Sequence, residues 1–189
     1  MLIKKIYGIF LKLLGALFGV GFAKKIDTKL RFKRTLNLKK PQTLADKVAY
    51  LELYSQNDLA SVCTDKFAVR EYVKQKGLEH ILVPAVGGAW SSAEAVDFTS
   101  LPDSFVLKAT HGCKMNYIVP HKTEFDEKKC VTEMKKWLST TYGTYSVEPH
   151  YAKIPHRIYA EEYLGDISNL IDYKFHCING EPKIGRAHV

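Results

Sequence analysis

The sequence lacks most of the devices by which a short chain announces its chemistry. Its four cysteines (Cys63, Cys113, Cys130, Cys177) form no Cys-x-x-Cys pair, which argues against a zinc knuckle or a disulfide framework and suits a reducing compartment. Its seven histidines show no His-x-x-x-His spacing, so no metal is read as held by histidine. There is no Gly-x-x-x-x-Gly-Lys-[Ser/Thr] phosphate loop, no Asp-x-Asp pair, no internal repeat and no low-complexity linker. The first absence excludes a Walker nucleotide site. The second counts against a metal-dependent nucleotide-sugar enzyme.

Acid is also scarce, in one place. The net charge of +8 would suggest nucleic acid if it were spread evenly, but residues 1–40 hold eleven Lys/Arg against one acid, Asp27, a balance of +10. Residues 41–189 balance at −2. The body is near neutral, which speaks against a nucleic-acid face. At 189 residues, 46% hydrophobic and 25% charged, the chain is long enough for one good core.

What is present begins with an apolar basic segment. Read as one helix over Met1–Ala23, it places Ile6, Ile9, Phe10, Leu13, Leu17 and Val20 along one side, and Lys4, Lys5, Gly8, Lys12, Gly15 and Gly19 along the other. Three readings stand: a helix packed on the protein's own core, a helix lying in an anionic membrane surface, or a signal or span. Lys12 opposes a span, since a central lysine costs about 2.5–3.5 kcal/mol on insertion.

The body reads as irregularly alternating helices and strands. Thr43-x-x-Asp46 has the spacing of a capping box and starts a helix from Leu44 to about Ser55. Thr64 or Asp65 caps a helix over Lys66–Lys76, closed by Gly77. Strands are expected at Ile81–Pro84, Ser104–Ala109, Asn116–Val119, Arg157–Leu164 and Ile171–Ile178. The last of these meets Asn179-Gly180, a strong hairpin signal. A helix is expected over Asp126–Leu138. Adjacent hairpins among helices give an α+β class with mainly antiparallel sheet.

Candidate chemistry gathers at two lysines. Phe105-Val-Leu-Lys108 runs into the polar turn Ala-Thr-His-Gly112, where an ammonium at a strand end and loop N–H groups can hold phosphate oxygens. Lys66 and Arg70 stand four apart at the start of a helix, whose dipole also favours an anion. Taken singly, each is more often a solvated basic residue. Glu161 and Glu162 end a strand, Asp172, Lys174 and His176 share one face of another, and Cys113 has no base partner legible in the sequence.

In order along the chain, these pieces resemble the ATP-grasp superfamily, in its teichuronopeptide-biosynthesis (TupA-like) branch, often labelled glycosyltransferase. The stretches that carry the resemblance are Leu36–Thr43, Asp65–Val73, Leu101–Lys108, His111-Gly112, Ala160–Leu164 and Asp172–Gly180. The resemblance implies ATP held between two lobes, with Lys66 and Lys108 on its phosphates and His111–Met115, including Gly112, as a flap. It sets Glu161, Glu162 and the backbone through Leu164 near adenine, and Asp172 near ribose. It further implies Mg²⁺, held by acids beyond the Asn-Gly hairpin, and formation of an amide from a carboxylate and an amine through an acyl phosphate.

The organisation expected is a basic apolar segment over residues 1–40, a partial ATP-grasp-like domain over 41–183, and a tail over 184–189. That tail is what one reading frame of a common sequencing-adapter oligonucleotide encodes, so it is set apart as a non-native scar. The chain is expected to bind nucleotide without completing catalysis. The function expected is that of the N-terminal part of a carboxylate–amine ligase in cell-surface polysaccharide biosynthesis, cytoplasmic and peripheral at the inner face of the membrane. The alternatives are a glycosyltransferase or a membrane-surface module without enzymatic activity.

Overall fold

The computed structural model describes residues 2–55, 58–142, 148–165, 172–178 and 180–187. Its first two elements, α1 (Leu2–Phe18) and α2 (Val20–Phe32), replace the single helix expected over residues 1–23. Gly19 sits between them at φ +87°, a conformation that only glycine adopts without strain. The chain therefore turns back, and Gly15 meets Ala23 closely enough that a methyl at Gly15 would lie 3.8 Å from the Ala23 Cβ. Tyr7 donates to Asp27 across the pair at 2.9 Å.

Helix α3 (Leu44–Tyr54) forms as its cap predicts. The Asp46 N–H donates to Thr43 Oγ1 at 3.2 Å, and the Thr43 N–H donates back to the Asp46 carboxylate at 3.0 Å. That carboxylate also accepts from the Asn37 N–H at 3.0 Å, which ties the preceding segment to the helix. Leu36, Leu38 and Ala49 form a small second core there. Backbone donors from Asn37 and Thr43 hold the Asp46 carboxyl at about 2, below its ordinary 3.8. A carboxyl lowered in the folded state adds stability above its unfolded value, and that stability is lost as pH falls towards the folded one. We expect acid to loosen residues 36–54 between about pH 4 and pH 2, read by circular dichroism, with Asp46→Asn flattening the transition over that window.

A helix not foreseen, α4 (Asp58–Thr64), is anchored by Ser61 Oγ on the His150 carbonyl at 2.8 Å. Helix α5 (Ala68–Gln75) starts later than expected, because the Asp65 carboxylate takes the Phe67 and Ala68 N–H groups and leaves Lys66 in the turn before it. The strand expected over Ile81–Pro84 is instead a 3₁₀ turn over Glu79–Ile81, followed by β1 (Ala85–Trp90). Pro84 lacks the N–H that a ladder needs; its carbonyl still accepts from Glu162 at 3.0 Å, and pairing begins at the next residue.

Strands β2 (Phe105–Ala109), β3 (Asn116–Val119) and β4 (Ile158–Glu162) join β1 in an antiparallel sheet of order β1-β4-β2-β3. Alternation gives this sheet two unlike faces. Phe105, Leu107, Ala109, Ile158 and Ala160 point to one side and pack on Cys130, Met134 and Trp137 of α6 (Glu127–Leu138), forming the main core. Burial raises the Cys130 thiol to about 12, so it is an inert core group.

Strands β5 (Asp172–Ile178) and β6 (Glu181–Ala187) form a separate hairpin turning at Gly180, φ +81°. β6 takes in residues 184–187, within the tail that the adapter reading sets apart. The antiparallel sheets and helices together make an α+β fold.

Candidate nucleotide site

The face of the sheet opposite the core carries the candidate site. Register sets Lys108 across from Tyr159, and Val106 across from Glu161, so Lys108 and Glu161 are diagonal neighbours within reach of long side chains. Lys108 Nζ donates to Glu161 Oε2. The Tyr159 hydroxyl donates to Glu161 Oε1 at 2.7 Å, and Arg70 of α5 reaches the same oxygen at 3.3 Å. Arg70 also donates to the Val83 carbonyl at 2.6 Å. One carboxylate, 7% exposed, thus gathers three donors from three elements. Burial, then the bond to Glu161, pushes the Tyr159 phenol far above its ordinary range.

Lys66 approaches from the turn before α5. Its N–H donates to the Thr110 carbonyl at 3.3 Å, and its ammonium donates to the Gly112 carbonyl. Partial burial lowers its pKa, and Lys108 adds to this as a nearby like charge; Cys113, Asp65 and Glu161 oppose it. The charge of Lys108 is thus felt at Lys66, and an incoming anion would be attracted by both.

Asp65 holds this approach in place. It is 2% exposed, caps the turn through Oδ1, and accepts from Arg157 at 3.0 Å through Oδ2. The Arg157 guanidinium lies over the Phe67 ring, 5.4 Å from its centroid. Thr110 closes the arrangement: its N–H donates to the Arg157 carbonyl at 2.9 Å and its hydroxyl to the Pro155 carbonyl at 2.7 Å.

The loop after Lys108 is anchored on one side and packed tightly at its tip. His111 is fully buried, stacks on His156 with centroids 3.7 Å apart, and donates from Nε2 to the Trp137 carbonyl at 3.0 Å. That tautomer leaves Nδ1 buried without a partner. Burial lowers the His111 pKa, which favours the neutral ring. At Gly112 a Cβ would stand 2.8 Å from Met115 Sδ and 3.1 Å from Tyr142 Cδ2, a close approach that only glycine allows without displacement. The Cys113 thiol beside it, ahead of burial, raises the Tyr142 phenol to about 12. A cleft of about 560 Å³ lies beside Arg70, lined also by Phe67, Lys74, Pro84, Ala85 and Gly87.

Of the residues read from the sequence, the fold brings Lys66, Lys108, Gly112 and Glu161 together. His111 anchors the loop from inside. Glu162 turns to the other face at the strand edge and is exposed, as is Leu164. Asp172 opens β5, and its side chain lies outside the described residues. Tyr159, Asp65 and Arg157 complete the cluster without having been singled out as site residues. Tyr159 was legible in principle, because in a strand the residue two before Glu161 shares its face.

The model of the TupA-like ATPgrasp family matches residues 46–185. The chain belongs to the TupA-like ATP-grasp family. No curated protein and no solved structure matches it. The match takes in most of α3, every element from α4 to β5 and most of β6, including all the residues of the cluster. ATP-grasp proteins bind ATP and Mg²⁺. The two lysines suit a polyphosphate. Among the described residues no group of three or more His, Cys, Asp and Glu comes together to hold a metal ion.

Proposed function

We propose that this chain forms the nucleotide-binding part of an ATP-dependent carboxylate–amine ligase in cell-surface polysaccharide biosynthesis, working in the cytoplasm against the inner face of the membrane. The observation that carries the reading is that Lys66, from the turn before α5, reaches the loop at Gly112 that directly follows Lys108 on β2, so that two ammonium groups from separate elements flank one loop. In the free chain their ammonium groups rest on the Gly112 carbonyl and the Glu161 carboxylate. Triphosphate oxygens would take over as acceptors, and charge-assisted bonds of this kind are about twice as strong as neutral ones.

The chemistry proposed runs in two displacements. A substrate carboxylate oxygen attacks the γ-phosphorus and ADP leaves; an amine then attacks the acyl phosphate carbon and inorganic phosphate leaves. Lys66 and Lys108 would position the phosphates and neutralise their charge, which is the larger part of what a phosphoryl-transfer site does. Glu161 and the backbone towards Leu164 would border the base, with Asp172 near the ribose.

Isothermal titration of the chain with ATP, in competition with nucleotide-sugars, tests the reading. ATP is expected to bind and to resist displacement. Displacement of ATP by a nucleotide-sugar at equal concentration would replace it with the glycosyltransferase reading.

A further inference from the structure

The N-terminal hairpin presents the wrong side to solvent for an element that only packs on its own protein. Helix α1 meets the rest of the chain through Gly8, Leu11 and Gly15, which are buried or half-buried. Ile6, Ile9, Phe10, Leu13 and Leu17 point outward, from 43% exposed at Phe10 to 73% at Leu17. Phe18 and Phe22 continue the patch around the turn with ring centroids 5.3 Å apart, and both are exposed. The outward side of α1 is thus a contiguous apolar stripe, and it is its small-residue side that packs. In water such a stripe is unfavourable in proportion to its area.

The charge pattern says what covers it. Lys12 is exposed and borders the stripe, three residues after Ile9, and Lys29 is exposed on α2 seven residues after Phe22, on the same side. Arg31, Lys33, Arg34, Lys39 and Lys40 follow, also exposed. The single acid of residues 1–40, Asp27, is 3% exposed and engaged by Tyr7 and Arg31. Every exposed charge on the first forty residues is therefore positive. No helix among the described residues is long and apolar enough to cross a membrane. An apolar stripe whose own segment exposes only cations, on a helix that does not span, matches the headgroup boundary of an anionic bilayer.

We infer that α1 and α2 form an in-plane membrane anchor, which inserts Ile6, Ile9, Phe10, Leu13, Leu17 and Phe18 into an anionic leaflet with Lys12 and Lys29 at the headgroups. The inference gives a surface and an orientation to the membrane placement proposed above, and it does not depend on the nucleotide reading. Binding needs no ATP, so a failure of one leaves the other standing.

Co-sedimentation of the full chain with phosphatidylcholine vesicles, with and without about 30% phosphatidylglycerol, provides the test. Binding is expected to the anionic vesicles, to weaken with salt, and to fall about tenfold or more in Leu13→Asp/Leu17→Asp. Both residues are exposed, so that variant is expected to keep the wild-type circular dichroism spectrum and melting temperature. Lys12→Glu is expected to weaken binding to anionic vesicles and leave the weak binding to neutral ones unchanged. Equal binding of wild type and the double variant would overturn the inference. So would a wild-type dimer, seen by sedimentation velocity and lost in the double variant, that binds no vesicle: the stripe would then be covered by a second copy.

Discussion

Replacing Lys108 by alanine is expected to weaken ATP binding by about 10- to 100-fold, because one charge-assisted contact to a phosphate is worth about 1.5–3 kcal/mol. The fold should survive. Lys108 keeps a 32% exposed side chain, and after its removal Glu161 retains Arg70 and Tyr159 as donors. Lys108→Arg keeps the charge in a planar fork that the ammonium position does not match, and an intermediate affinity is expected. Titration calorimetry on the two variants, alongside thermal melts, separates a phosphate contact from a structural lysine. Unchanged ATP affinity in a folded Lys108→Ala protein would remove this lysine from the site. A melting temperature that collapses in both variants would instead make the Lys108–Glu161 pair a structural bond.

The largest loss of stability is expected at a residue that touches no ligand in this scheme. Asp65→Ala removes a carboxylate that is almost wholly buried, ends two backbone bonds at the start of α5, and leaves the Arg157 guanidinium without its ionic partner. Breaking a buried pair from one side costs about 3–5 kcal/mol, and loss of the cap adds about 1 kcal/mol. Arg157 is part-exposed, at 29% of its side chain, so water screens the orphaned charge and the lower end of that range is expected. Asp65→Asn retains the capping oxygen and should lose less. Because Lys66 directly follows Asp65, the alanine variant should also bind ATP more weakly than its stability alone explains. Denaturant titration with and without saturating ATP reads both effects. A stability change below about 1 kcal/mol would show that the Asp65–Arg157 pair contributes little beyond the cap.

Most elements of the body were legible because their signals are local. The Thr43/Asp46 box, the Asp126 cap of α6, the positive φ of Gly77 and the Asn-Gly hairpin depend on residues within four positions of one another. The Ile81–Pro84 strand misled for the same reason: its apolar run looks like a strand, but the proline denies the first ladder bond and the pairing starts at Ala85. The break at Gly19 was hidden, since a glycine inside a periodic apolar segment is compatible with one helix or two. Helix α4 carries little periodicity in seven residues, and its anchor, His150, lies 89 positions away.

The sequence by itself determined which cationic side chains stand at a strand end and a helix start, where the basic charge lies, and that an apolar stripe runs along the first helix. These follow from residue type and from the fixed periods of helix and strand. Only the tertiary structure decided that Lys108 rests on Glu161 and not on Glu162, that His111 faces inward, and that Lys66 leans across the loop to Gly112. It alone decided that the stripe on α1 points away from the protein. Those choices depend on strand register, on the late start of α5 and on close packing at Gly15, contacts made between residues far apart in the chain, and no local period encodes them.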